Sequence, residues 1–105
     1  MSYIEYNYSM YEIETIDEFD AWLGGISDGK TQKVIVKRIR TMSLGTLGKI
    51  RSLGDGIFEA KIYYGPGYRL YFVNKGKKII VLLCGGDKST QSRDVKKARK
   101  LAKEV

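Results

Sequence analysis

The stretch IFEAKIYYGPGYRLYFVN, residues 57–74, decides the fold. Before the Gly65-Pro66-Gly67 cluster, Phe58, Ala60 and Ile62 alternate with Glu59, Lys61 and Tyr63; after it, Leu70 and Phe72 alternate with Arg69, Tyr71 and Val73. A period of two places successive side chains on opposite faces of a pleated strand, and glycine and proline supply the turn between. Two antiparallel strands are expected, over residues 57–64 and 68–74, with Glu59, Lys61, Arg69 and Tyr71 sharing one face. Asn74-Lys75-Gly76-Lys77 marks a second turn into a third strand, residues 78–84 (KIIVLLC). That strand is apolar on both faces, which predicts a central position covered on both sides. Gly85-Gly86 is expected to end it.

Upstream, residues 11–14 alternate well enough for a short strand. Asp17 is the expected N-cap of a first helix whose apolar residues Ile16, Phe19, Leu23 and Ile26 recur at three- and four-residue steps, with Ser27-Asp28-Gly29 as its end. A second helix is expected from near Thr31, with Ile35, Ile39 and Met42 on one face and Gly45 and Gly48 closing it. Downstream, a helix from about Thr90 carries Val95, Ala98, Leu101, Ala102 and Val105 as its apolar stripe. The predicted order is β-α-α-β-β-β-α. This is an α+β class domain spanning residues 1–105, with an antiparallel sheet packed against an N-terminal helical hairpin and a C-terminal helix. Residues 1–9, with Tyr3, Tyr6 and Tyr8, read as a strand or a partly ordered arm.

Composition narrows the chemistry. The chain has 105 residues, 43% apolar and 30% charged, a globular balance rather than a disordered one. It contains no histidine and one cysteine, Cys84. That removes an intramolecular disulfide framework, the usual zinc sites, Cys-His pairs and Ser-His-Asp triads. The longest apolar run, residues 79–84, is far below the ~20 residues of a membrane span, and the opening segment lacks a signal-peptide pattern; a cytoplasmic protein is expected.

The net charge of +7 is unevenly spread. Residues 1–29 hold seven carboxylates and no Lys or Arg, so the remaining chain carries nineteen basic residues against five acidic ones. One basic stretch runs Lys30, Lys33, Lys37, Arg38, Arg40, Lys49, Arg51, and a second fills the C-terminal tail. Such surfaces attract polyanions, and each phosphate they neutralise releases a counterion. The partner suggested is a nucleic acid or an acidic protein, and charge does not choose between them; with RNA as the partner, Lys37, Arg40, Lys49 and Arg51 are the expected binding cations, although a solvated basic helix face looks the same in sequence.

On the shared sheet face, an arginine, a lysine, a carboxylate and a tyrosine suit a phosphodiester. Arg69 can stabilise a pentavalent phosphate bidentately. Lys61, with Glu59 or Lys88, can move the protons of the 2′-hydroxyl and the 5′-oxygen, and Tyr71 can stack on a base and orient the RNA. Cross-strand charge pairing would produce the same residue pattern without chemistry. Gly85-Gly86-Asp87-Lys88-Ser89 looks like an anion loop but lacks P-loop spacing, so an N-cap role for Ser89 or Thr90 is expected there.

Three segments together carry a family likeness: FDAWL at residues 19–23, GPGYRLYF at residues 65–72 and LCGGDKSTQ at residues 83–91. Over roughly residues 10–103 the chain resembles the RelE/ParE toxin superfamily, nearest its HigB-like "addiction module killer protein" branch. The resemblance implies the toxin of a bacterial type II toxin–antitoxin system, neutralised by a small antitoxin, usually a helix-turn-helix protein. It further implies an mRNA interferase, a ribosome-dependent endoribonuclease acting on mRNA without metal or other cofactor. The ParE branch instead poisons DNA gyrase without nuclease activity, and a degenerate member would only bind its antitoxin. Arg69 matches the transition-state arginine of RelE and Lys61 a strand lysine of its active site. Lys88 is the nearest counterpart of an arginine after the last core strand. Two departures stand out: Glu59 replaces a second lysine, and no Tyr or His follows Tyr71.

Overall fold

A computed structural model describes residues 10–76 and 78–105; the tyrosine-rich residues 1–9 and Lys77 of the second turn lie outside the described residues. The elements are β1 (Glu12–Thr15), α1 (Asp17–Gly24), α2 (Gly29–Ser43), β2 (Ile50–Gly54), β3 (Ile57–Ile62), β4 (Tyr68–Lys75), β5 (Ile79–Asp87), a 3-10 turn (Lys88–Thr90) and α3 (Gln91–Ala102). They form an α+β domain around one five-stranded sheet, ordered β1-β5-β4-β3-β2.

Two features depart from the expected sheet. A fifth strand, β2, pairs antiparallel with β3 along the edge. At the other edge β1 runs parallel to β5, Glu12 opposite Ile79, so the sheet is mixed rather than wholly antiparallel. The three strands β3, β4 and β5 are antiparallel neighbours, as the alternating pattern and short turns require.

The helix boundaries also shift. Ile16, not Asp17, occupies the cap position of α1, and no side chain caps it. Asp28 caps the second helix instead of closing the first, accepting bonds from the Lys30 amide at 3.3 Å and the Thr31 hydroxyl at 2.6 Å. Thr90 does stand at the cap position of α3, though without a side-chain cap bond, and Asp87 caps the 3-10 turn before it, accepting from the Ser89 amide at 2.8 Å. The loop's free amides are thereby claimed by its own carboxylate.

Both faces of the sheet are covered. Phe19 of α1 and Ile35 and Met42 of α2 pack on Ala60, Ile62, Leu70, Phe72, Ile80 and Leu82. Ala98, Val95 and Leu101 of α3 pack on Ile57, Tyr71, Val73, Val81, Leu83 and Cys84. Burying such side chains contributes ~1.5–3 kcal/mol each.

A register shift brings Cys84 opposite Tyr71 but Leu82 opposite Phe72, leaving Leu83 as an extra residue. This bulge turns both Leu83 and Cys84 toward α3 and re-aims the two glycines that follow. Gly85 meets Trp22, and a β-carbon there would lie 2.3 Å from the indole ring. At Gly86 the carboxylate of Asp94 and the hydroxyl of Thr90 fill that space. These glycines continue β5 to Asp87; close approach, not strand termination, requires them. No helix among the described residues is long and apolar enough to cross a membrane.

Candidate functional site

The β3–β4 hairpin sets the site. Lys61 lies directly across from Arg69, and Glu59 across from Tyr71, so all four project from the α3 side of the sheet. That side is only half open. α3 covers the end that holds Tyr71, whose ring is 0% exposed. A buried ring has no free face, so the base-stacking role expected of Tyr71 is withdrawn. Burial and then the neighbouring Glu59 carboxylate push its hydroxyl's pKa upward. The hydroxyl has no hydrogen-bond partner among the described residues.

Beyond Tyr71 the sheet opens into two adjoining clefts that meet at Lys61 and Arg69. The first, of about 200 Å³, is lined by Lys49, Ile50, Arg51, Glu59, Lys61, Arg69 and Gln91. The second, of about 350 Å³, adds the Gly65-Pro66-Gly67 turn, Tyr63, Tyr64 and Lys88. The expected catalytic set, Arg69, Lys61, Glu59 and Lys88, is thus gathered at one place, with Arg51 brought in by β2 and Lys49 by the residue just before it. Lys37 and Arg40 lie elsewhere, along a separate groove on α2 with Gln32, Lys33 and Val36. They do not share a surface with the clefts.

Arg69 forms the floor. Although 5% exposed, its guanidinium is incompletely satisfied. Nη1 donates to the Gly67 carbonyl at 3.0 Å, while Nε lies 3.8 Å from Glu59 Oε2 and has no hydrogen-bond partner among the described residues. Gly67 presents that carbonyl from a left-handed backbone, φ 85°, which glycine adopts without strain. Burying a cation costs several kcal/mol unless charges and hydrogen bonds compensate, and Glu59 and the Gly67 carbonyl are the compensating partners in place here.

Glu59 is the hub of the polar network. Its carboxylate lies 3.3 Å from Arg51 Nη2 and accepts a 2.9 Å bond from Gln91 Nε2 of α3. Gln91 was not foreseen, because nothing in its own sequence neighbourhood reports that α3 lands over β3. Lys61 directs its ammonium over the Tyr63 ring, 4.7 Å from the centroid. On the α2 side, Arg38 holds the frame of the cleft. It donates to the carbonyls of Lys61 at 2.6 Å, Leu47 at 2.9 Å and Lys49 at 3.3 Å. Gly48 runs so close beneath this guanidinium that a β-carbon would lie 2.7 Å from Nη2.

Cys84 is no candidate nucleophile. It is buried, and burial, followed by the Asp94 charge, pushes its thiol up to about 12.

No family model matches the sequence. An uncharacterized protein of Haemophilus influenzae is 44% identical over 94 residues, which cover 90% of this chain and 95% of that protein. The chain belongs to that protein's family.

In chemical terms the two clefts offer five cations around one carboxylate, with the least exposed cation at the bottom. Guanidinium and ammonium groups so placed bind phosphate or carboxylate oxygens.

Proposed function

We propose that this protein is the toxin of a bacterial type II toxin–antitoxin pair and acts as a ribosome-dependent mRNA endonuclease in the cytoplasm. The observation that carries the reading is Arg69: a buried, under-coordinated guanidinium on the floor of a cleft rimmed by Lys49, Arg51, Lys61 and Lys88. In this reading a phosphodiester enters the cleft and Arg69 grips its non-bridging oxygens as charge builds on them. The ribose 2′-oxygen attacks phosphorus, and its proton passes to Glu59, the one carboxylate lining the clefts. The bond to the 5′-oxygen breaks, and that oxygen takes a proton from Lys61. The products are a 2′,3′-cyclic phosphate and a 5′-hydroxyl. The neutralising partner is a small helix-turn-helix antitoxin that covers the basic face with an acidic or amphipathic segment. Purified protein added to ribosomes programmed with mRNA should cut the message. Arg69→Ala, shown folded by circular dichroism, should cut at least about 100-fold more slowly. Failure of the wild type to cut, on or off the ribosome, overturns the nuclease; inhibited gyrase supercoiling with intact message would assign a ParE-like activity instead.

A further inference from the structure

Tyr63 is the one exposed aromatic side chain among the described residues, at 67%. Every other described ring is at least partly packed into a core, Tyr64 and Tyr68 included. Tyr63 stands just past the end of β3 and lines the second cleft with Lys61, Arg69 and Lys88. The Lys61 ammonium above its ring holds the ring by a cation–π contact. The rest of the ring faces solvent, beside the cations that would grip a phosphate.

We propose that Tyr63 is the platform on which the RNA base next to the gripped phosphate stacks, so that the second cleft is a nucleotide subsite for single-stranded RNA. This rests on the nuclease reading and gives it a substrate contact. A flat ring accepts any base, since every base has a π-face, and stacking of this kind changes affinity about 5- to 150-fold per base. Single-stranded RNA fits the geometry because an unpaired base can be splayed out beside its own phosphate. Lys61 couples the two halves, touching the platform with its ammonium and facing Arg69 across the hairpin.

The test compares short single-stranded oligoribonucleotides with abasic ribose-phosphate strands of equal length, by fluorescence anisotropy, for wild type, Tyr63→Phe and Tyr63→Ala. Tyr63 is exposed, so neither substitution endangers folding. Wild type and Tyr63→Phe should favour the base-bearing strand at least about tenfold, and Tyr63→Ala should bind both strands equally. The proposal is overturned if the preference survives in Tyr63→Ala, if Tyr63→Phe loses it as fully as alanine does, or if wild type shows none. It is also overturned if Tyr63→Ala abolishes gyrase inhibition in a protein that binds no RNA, since the ring then meets a protein. Cleavage of ribosome-bound mRNA by wild type and Arg69→Ala separates the two readings. Cutting without base preference removes the platform and leaves the nuclease. A base preference that depends on Tyr63, without cutting, removes the nuclease and leaves the RNA subsite.

Discussion

Replacing Arg38 by methionine keeps the aliphatic stem but removes the guanidinium that joins α2 to the loop before β2 and to the end of β3. Two of its bonds, to the carbonyls of Lys61 and Leu47, are short and partly buried, at 2.6 and 2.9 Å. The third, to Lys49 at 3.3 Å, is exposed and contributes little. Hydrogen bonds to a charged group contribute roughly 1.5–3 kcal/mol each, so losing the two inner ones should cost about 3 kcal/mol. With a urea slope of about 1–3 kcal/mol per molar, the unfolding midpoint should fall by about 1–3 M. Arg38→Lys restores a charge but not the fork, and should recover less than half of the loss. The same substitutions should slow RNA cutting, because Lys61 and Lys49 lose their backbone anchor. An Arg38→Met unfolding free energy within about 0.5 kcal/mol of wild type would show that the carbonyls find water just as well, and would refute the clamp.

Gly85→Ala should destabilise the domain by about 1–3 kcal/mol, because its β-carbon overlaps the Trp22 ring; a calorimetric Tm unchanged from wild type would contradict that packing. The Asp87 carboxyl is held below its ordinary 3.8, chiefly by the Ser89 hydroxyl and then, against desolvation, by the Ser89 amide. A lowered folded-state pKa stabilises the fold above the unfolded value and is lost as pH falls through the folded one. Asp87→Asn should therefore be less stable than wild type at pH 7, with the gap closing below about pH 4; urea midpoints at pH 7 and pH 2.5 measure it, and a gap that widens in acid would reverse the sign.

What could be read in advance followed local periodicity. Alternation across residues 57–74 fixed which side of the sheet Lys61 and Arg69 would occupy, because a strand's period is two and a short turn sets the register. Alternation does not say how much of that side a distant helix covers, and Tyr71 was misjudged for that reason. β2 has almost no apolar face to betray it: four of its five residues are exposed. Its turn did leave a signal, since Gly54-Asp55-Gly56 all take positive φ, the glycine-aspartate chemistry of tight hairpins. The parallel pairing of β1 was hidden because a strand's partner is a tertiary choice. Gly85 and Gly86 read as a strand end because sequence cannot distinguish a glycine needed for a turn from one needed for room.

The far-flung partnership of the first and last strands has a temporal side. Glu12 leaves the translating ribosome long before Ile79, its partner, has been made, and Gln91 arrives later still. Until then a nascent chain carries a hairpin bearing Lys61 and Arg69 but neither the last strand nor the helix that buries Tyr71. The assembled pocket therefore comes into being only after Gln91 has been made.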